Sequence, residues 1–219
     1  MNRLLVLALL AAPSLAPAAE PAQSAAPIVA KMQKYYDATK DLHAHFDQQL
    51  QSAMGKKKAS GEVWLKKPGK MRWDYAKPEK KLMVSDGKTL WVYEPEDEQA
   101  FKQDMSASTL PAQVSFLVGE SKLEKEFDIT VSEPLPGVGG AGEIVLKLAP
   151  KTPTSAYNHL VFVVDEKTGQ VKETIIFDQT GGQNRLTFTG LEQNKNVDEG
   201  KFRFSPPAGT KILAPPKGP

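Results

Sequence analysis

The stretch that decides the fold is Lys70-Met71-Arg72-Trp73-Asp74-Tyr75. It alternates without error. Met71, Trp73 and Tyr75 fall on one face and Lys70, Arg72 and Asp74 on the other, the period-two pattern of a half-buried β-strand. Working outward, the period changes to two after Asp41. Asp86-Gly87 separates Lys81–Ser85 from Lys88–Tyr93, a hairpin signal in which both turn positions are expected at positive φ. Asp165–Gly169 separates His159–Val164 from Gln170–Asp178, and Gly181-Gly182 separates that strand from Gln183–Gly190. Phe127–Val131 and Glu143–Ala149 are further strands. Short turns between successive strands make antiparallel pairs and exclude a parallel βαβ fold.

Two helices interrupt this pattern. Ser24–Lys40 is amphipathic, with Ile28, Met32, Tyr35 and Thr39 at three-and-four spacing and lysines between them. Ser108–Val118 is the second, with Pro111 near its first turn and Gly119 as its stop. A sheet of about ten strands is expected to curl on itself, and the helices are the available cover for its inner face.

Met1–Ala18 is read as a secretory signal peptide: Arg3, then the apolar run Leu4–Leu10, then the small-x-small site Ala16-Pro17-Ala18. Residues 19–27 form a linker, 28–213 a single domain and 214–219 a Pro-rich tail. The 219 residues are 40% hydrophobic and 25% charged, a globular composition. The formal net charge of +2 argues against a nucleic-acid protein. Zero cysteines exclude disulfides, thiolate zinc sites and cysteine nucleophiles together.

Motifs that carry chemistry are weak. Gly137-Val138-Gly139-Gly140-Ala141-Gly142 matches G-x-G-x-x-G, with Asp165 downstream. A strand follows it where a dinucleotide site needs a helix, so it is read as a flexible loop. His43 and His45 share a strand face with Asp41 and Asp47 but lack a clear third ligand, and are read as ordinary histidines. Lys56-Lys57-Lys58 is read as a solvated hairpin tip. No G-x-S-x-G, H-E-x-x-H or Walker lysine loop occurs, so no catalytic constellation emerges and no cofactor is implied.

Apolar side chains, in contrast, are over-supplied at inward positions. Val63, Leu65, Met71, Trp73, Tyr75, Leu82, Val84, Leu90, Val92, Phe162 and Phe177 lie on alternating strands. Met32 and Tyr35 on the first helix and Phe116 and Leu117 on the second are placed to face them. The residues alone leave two readings open: a packed core, or a core with a leftover apolar cavity.

Gly61–Tyr75, Val84–Tyr93, Lys201-Phe202-Arg203-Phe204-Ser205-Pro206-Pro207 and, more weakly, Leu42–Phe46 resemble segments of the LolA family of periplasmic lipoprotein carriers, in the family's order and spacing. The resemblance implies an α+β fold. Its sheet would be a strongly curved antiparallel one, an incomplete β-barrel of about ten or eleven strands, with a lid of two or three helices over a hydrophobic cavity. It also implies a monomeric, non-enzymatic periplasmic chaperone. Such a chaperone accepts lipoproteins by their acyl chains from an inner-membrane ABC-type release complex and passes them to an outer-membrane receptor. Burial is worth about 0.8 kcal/mol per CH₂, so an acyl chain of about sixteen carbons has roughly 12 kcal/mol at stake and needs a carrier in water. The alternatives are a sensor or scaffold module of the same fold, and a hydrolase using His43 or His45. Two positions depart from the family. The basic residue before Pro68, often an arginine that holds the lid by hydrogen bonds, is Lys67. The commonly aromatic position at Met71 is a methionine. Lys67, with Arg72 nearby, is the expected lid latch.

Overall fold

The computed structural model describes residues 24–105, 116–117 and 122–214. The expected signal peptide and most of the expected second helix lie outside them, although Phe116 and Leu117 are helical. The elements are α1 (Ala26–Asp37), β1 (Asp41–Ser52), β2 (Gly55–Lys66), β3 (Lys70–Lys77), β4 (Lys81–Asp86), β5 (Thr89–Glu94), β6 (Gln99–Asp104), α2 (Leu123–Glu126), β7 (Phe127–Val131), β8 (Glu143–Pro150), β9 (His159–Asp165), β10 (Val171–Phe177), β11 (Gln183–Gln193), a 3-10 turn (Glu199–Phe202) and β12 (Lys211–Leu213).

All twelve strands join one sheet in the order β12-β6-β5-β4-β3-β2-β1-β11-β10-β9-β8-β7. Its two ends, β12 and β7, do not pair with each other, so the barrel is incomplete. The expectation of about ten or eleven strands is one short, because β12 is only three residues long and carries no alternating pattern. β12 pairs with β6 in parallel, the exception in an otherwise antiparallel sheet. It is brought back to that edge by a long irregular return, not by a turn. The sheet bends round its contents. Trp73 and Phe188 lie on strands three apart, which a flat sheet would separate by about 14 Å, yet their rings are 6.4 Å apart.

Helix α1 begins with Pro27 in its first turn, where a missing N–H costs nothing. It ends at Asp37, short of the expected Lys40. Its buried face is Ile28, Val29, Met32 and Tyr36. Tyr36, not Tyr35, completes that face at its C-terminal end, because four-residue steps from Ile28 through Met32 lead to it.

Two turn readings need correction. At the β4–β5 hairpin only Gly87 has positive φ (92°). The Asp86 side chain instead accepts from the backbone N–H groups of Lys88 and Thr89, at 2.8 and 2.9 Å. Such an Asx turn bends the chain without a left-handed Asp. Those bonds hold the Asp86 carboxyl below the usual carboxylate range. At the β1–β2 hairpin, Lys56–Lys58 lie inside β2 and the tip falls at residues 53–54.

Candidate functional site

Strand register decides which side chains share a face. On β3, Met71 stands opposite Leu65 and Ser85, and Trp73 opposite Val63 and Met83. Continuing across, Leu90 stands opposite Ser85 and Val92 opposite Met83. This is the inner face, the one helix α1 covers. Val63, Leu65, Met71, Trp73, Phe162, Met32, Phe116 and Leu117 belong to one buried cluster on it. Tyr35, Tyr75 and Leu90 pack against that cluster, and Val92 follows by register.

The same register overturns three inward assignments. Val84 pairs with Arg72, Leu82 pairs with Asp74, and Phe177 pairs with Gln183 and stacks on His159 at 4.4 Å. All three point to the outer face. Val84 is almost wholly buried there, under the returning segment Glu199–Phe204. In that segment Phe202 is buried, the Phe204 ring lies 5.9 Å from Trp91 and 5.4 Å from Tyr93, and Lys201 Nζ sits 4.1 Å above Trp64. Arg72 belongs to this outer side too. It pairs with Asp74 (2.9 Å) and donates to the Lys201 carbonyl (3.2 Å), so it does not touch α1 and is no lid latch.

Lys67 does reach the helix. Its ammonium donates to the Tyr36 carbonyl at the C-terminal end of α1. Burial pulls this lysine below its ordinary pKa, with Asp37 opposing the shift. Other polar ties gather at the same end. The Gln193 amide donates to the Tyr35 carbonyl (3.2 Å) and to the Thr39 hydroxyl. Asn194 accepts from the Lys40 N–H at 2.7 Å and donates to the Ala38 carbonyl at 3.0 Å. The Tyr36 hydroxyl accepts from the Val171 N–H at 3.2 Å, and burial drives that phenol far above its ordinary pKa. Gln193 and Asn194 carried no sequence signal; long-range hydrogen bonding of a polar strand end has none. Earlier along α1, Lys31 donates to the Glu166 carbonyl at 2.6 Å, and the rest of the helix is held by packing.

The region under α1 is filled. Met32, Phe46, Phe116 and Phe162 are each at most 1% exposed, and Tyr36 and Phe116 meet edge to face at 4.9 Å. Open space lies farther along the inner face, toward the β1–β2 hairpin. A cavity of 480 Å³ is lined there by Gln48, Leu50, Ala59, Tyr75 and Lys81, among others. Another of 450 Å³ is lined by Leu50, Met54, Ile176 and Asn184. A broader groove of 760 Å³ lies on the opposite, outer face, between Arg72, Asp74, Leu82, Tyr93 and Phe204. The inner face thus runs from a filled apolar core to a hollow end where Leu50 and Tyr75 lie among charged side chains such as Lys77, Lys81, Glu79 and Glu94.

Other sequence candidates resolve as follows. His43 stacks flat on Trp64 at 4.8 Å, with Glu62 3.7 Å and Glu192 3.8 Å from its ring nitrogens. Among the described residues no group of three or more His, Asp or Glu side chains is placed to hold a metal. The glycine segment 137–142 is an irregular loop leading into β8, not a helix start. Its Gly137 carbonyl accepts from Arg185 at 2.8 Å, and Arg185 in turn pairs with the buried Glu173 at 2.7 Å. Among the described residues no helix is long and apolar enough to cross a membrane.

Comparison with known proteins places this architecture. The chain is 30% identical over 187 residues to an outer-membrane lipoprotein carrier protein of Alkalilimnicola ehrlichii, covering 84% of this chain and 82% of that one. It is 30% identical over 199 residues to the outer-membrane lipoprotein carrier protein of Azotobacter vinelandii, covering 90% and 92%. An uncharacterized conserved protein from Thermus thermophilus shares the fold at a TM-score of 0.55 and 13% identity, over 88% of this chain and 100% of that chain. Residues 37–205 match the family described as outer membrane lipoprotein carrier protein LolA, and the chain belongs to that family.

Proposed function

We propose that this chain is a periplasmic carrier of lipoproteins that shelters their acyl chains against the inner face of the sheet. One observation supports the reading: the filled apolar face is covered by helix α1, whose polar ties, Lys31 apart, cluster at its C-terminal end. A helix fixed at one end and packed along the rest can swing away without breaking its anchor. Lifting α1 together with Phe116 and Leu117 exposes Leu65, Trp73 and Phe162 on the sheet and opens them toward the hollow near Leu50 and Tyr75. The acyl chains then replace the helix as the cover of that face. Their burial supplies on the order of 0.8 kcal/mol per CH₂, which offsets the packing given up by the helix. The near balance makes loading reversible, as a carrier requires. The donor would be an inner-membrane ABC-type release complex and the acceptor an outer-membrane receptor, as the family relationship implies.

The test is mass spectrometry of lipid that copurifies with the exported chain, followed by transfer of a radiolabelled lipoprotein in vitro. Bound triacylated lipoprotein is expected, and its release on addition of acceptor. A folded protein that neither retains acyl lipid nor takes it from a donor complex sinks the proposal.

A further inference from the structure

The β1–β2 hairpin carries a feature that an acyl-binding face does not require. β2 pairs with β3 only from Ser60, which stands opposite Lys77. Residues 55–59 therefore run on past the β3 edge, by about 16 Å at the usual rise per residue. At the tip Met54 is 98% exposed and Leu50 nearby is 40% exposed. A thioether in open water gains nothing in the free protein. Behind it Lys56, Lys57 and Lys58 are all exposed, and among the described residues none has an ion-pair partner. Glu79, Glu94, Glu96 and Asp97 line the hollow that Lys57 and Lys58 border, and Asp178 lines the one beside Met54, but none forms an ion pair with the three lysines. An apolar Met54 leading, with unpaired ammonium groups and Leu50 behind it at the level of Lys57, complements an acidic bilayer surface, where headgroup phosphates overlie hydrocarbon. An acidic protein would suit the lysines but leave Met54 unexplained.

We propose that the tip of the β1–β2 hairpin is a contact surface for bilayers containing acidic lipid, with Met54 entering the headgroup layer and Lys56–Lys58 meeting the phosphates. The contact brings the hollow beside Leu50 and Tyr75 to the membrane at the moment cargo moves, but it stands without the carrier reading. The test is flotation of the purified chain with phosphatidylethanolamine vesicles, with phosphatidylglycerol or with phosphatidylcholine added. Binding is expected only with phosphatidylglycerol, and it weakens as salt rises. Each lysine at such a surface is worth about a five-fold change, so Lys56→Glu/Lys57→Glu/Lys58→Glu lowers affinity about a hundred-fold or more. Met54→Asp, at a position too exposed to disturb folding, lowers it several-fold. Lys167→Glu/Lys195→Glu at the opposite end leaves it unchanged. Equal binding to both kinds of vesicle, wild-type binding by the triple variant, or binding to soluble polyglutamate as tight as to vesicles overturns the proposal. Uptake of a fluorescent fatty acid without vesicles, measured on the same variants, reports the carrier reading separately.

Discussion

On the inner face of β2 and β3, Val63, Leu65, Met71 and Trp73 lie under a helix tied mainly through bonds to its own backbone at one end. On the outer face of β2–β5, Trp64, Val84 and Trp91 lie under the returning chain, which is fastened differently. Glu199 bridges Lys66 (2.9 Å) and Lys70 (2.6 Å), Lys66 also donates to the Val197 carbonyl (2.7 Å), and Phe202 is driven into the interior. Both faces are apolar and both are sealed. The outer cover has charged and aromatic fastenings spread along its length, whereas the inner cover is anchored at one end. A sheet that must open on one side can be locked on the other, and the locked side keeps the strands in register while the opposite side changes occupant.

Core truncations test this contrast with the largest expected effect. Phe162→Ala inside and Phe202→Ala outside should each cost about 3–5 kcal/mol in urea unfolding, since both rings are at most 2% exposed. Only the inner change should also weaken acyl-lipid binding in the protein that remains folded. Loss of binding in folded Phe202→Ala would break the comparison. Next in size is Gly169→Ala. Gly169 has φ +81°, and a Cβ there would lie 2.7 Å from the Lys31 carbonyl carbon and oxygen. The strain, about 1–3 kcal/mol, should push α1 away. Amide exchange over residues 26–37 should accelerate while that of 199–202 stays the same; uniform acceleration would mean the two covers are coupled.

Lys67→Met removes the donor to the Tyr36 carbonyl. A stability loss of about 1 kcal/mol and faster exchange in α1 are expected, with Lys67→Arg restoring both. Slow exchange in the Met variant would remove Lys67 from lid control. The smallest effect concerns Glu199, whose carboxyl the Lys70 and Lys66 ammonium groups hold down to about 2 against an ordinary 4.5. Because the folded value is lowered, the stabilisation is present above about pH 4.5 and disappears as pH falls through about 2. The Glu199 carboxyl is half exposed, so the gap between wild type and Glu199→Gln should be small at pH 7, shrink with salt and largely close by pH 2. A gap that persists at pH 2 would point to packing, not charge, as what fastens the outer cover.

Much of this architecture is legible in the chain. Lys70–Tyr75 assigns its own two faces correctly, because lysine, arginine and aspartate there contrast with methionine, tryptophan and tyrosine. The same method fails at Leu82-Met83-Val84-Ser85. Hydrophobicity sends Leu82 and Val84 inward, yet pairing with β3 turns Met83 and Ser85 inward. Alternation tells only that two faces differ, and here the outer face is the more apolar because a distant segment covers it. Phe177 is turned outward by register too, but there it stacks on His159 of the neighbouring strand. Lys67 is recognisable by its place before Pro68, but its partners on α1 and the support from Gln193 and Asn194 are not.

By itself the sequence determined the strand periodicity, the amphipathic first helix, the absence of cysteine chemistry and the family, because each is carried by residues near one another in the chain. The tertiary structure alone decided which apolar face is inner, where the hollow lies and which end of the helix is anchored. Those depend on register across the sheet and on contacts such as Phe204 with Trp91 and Asn194 with Ala38, more than a hundred residues apart in the chain. No local pattern can encode which of two greasy faces a remote segment will return to cover.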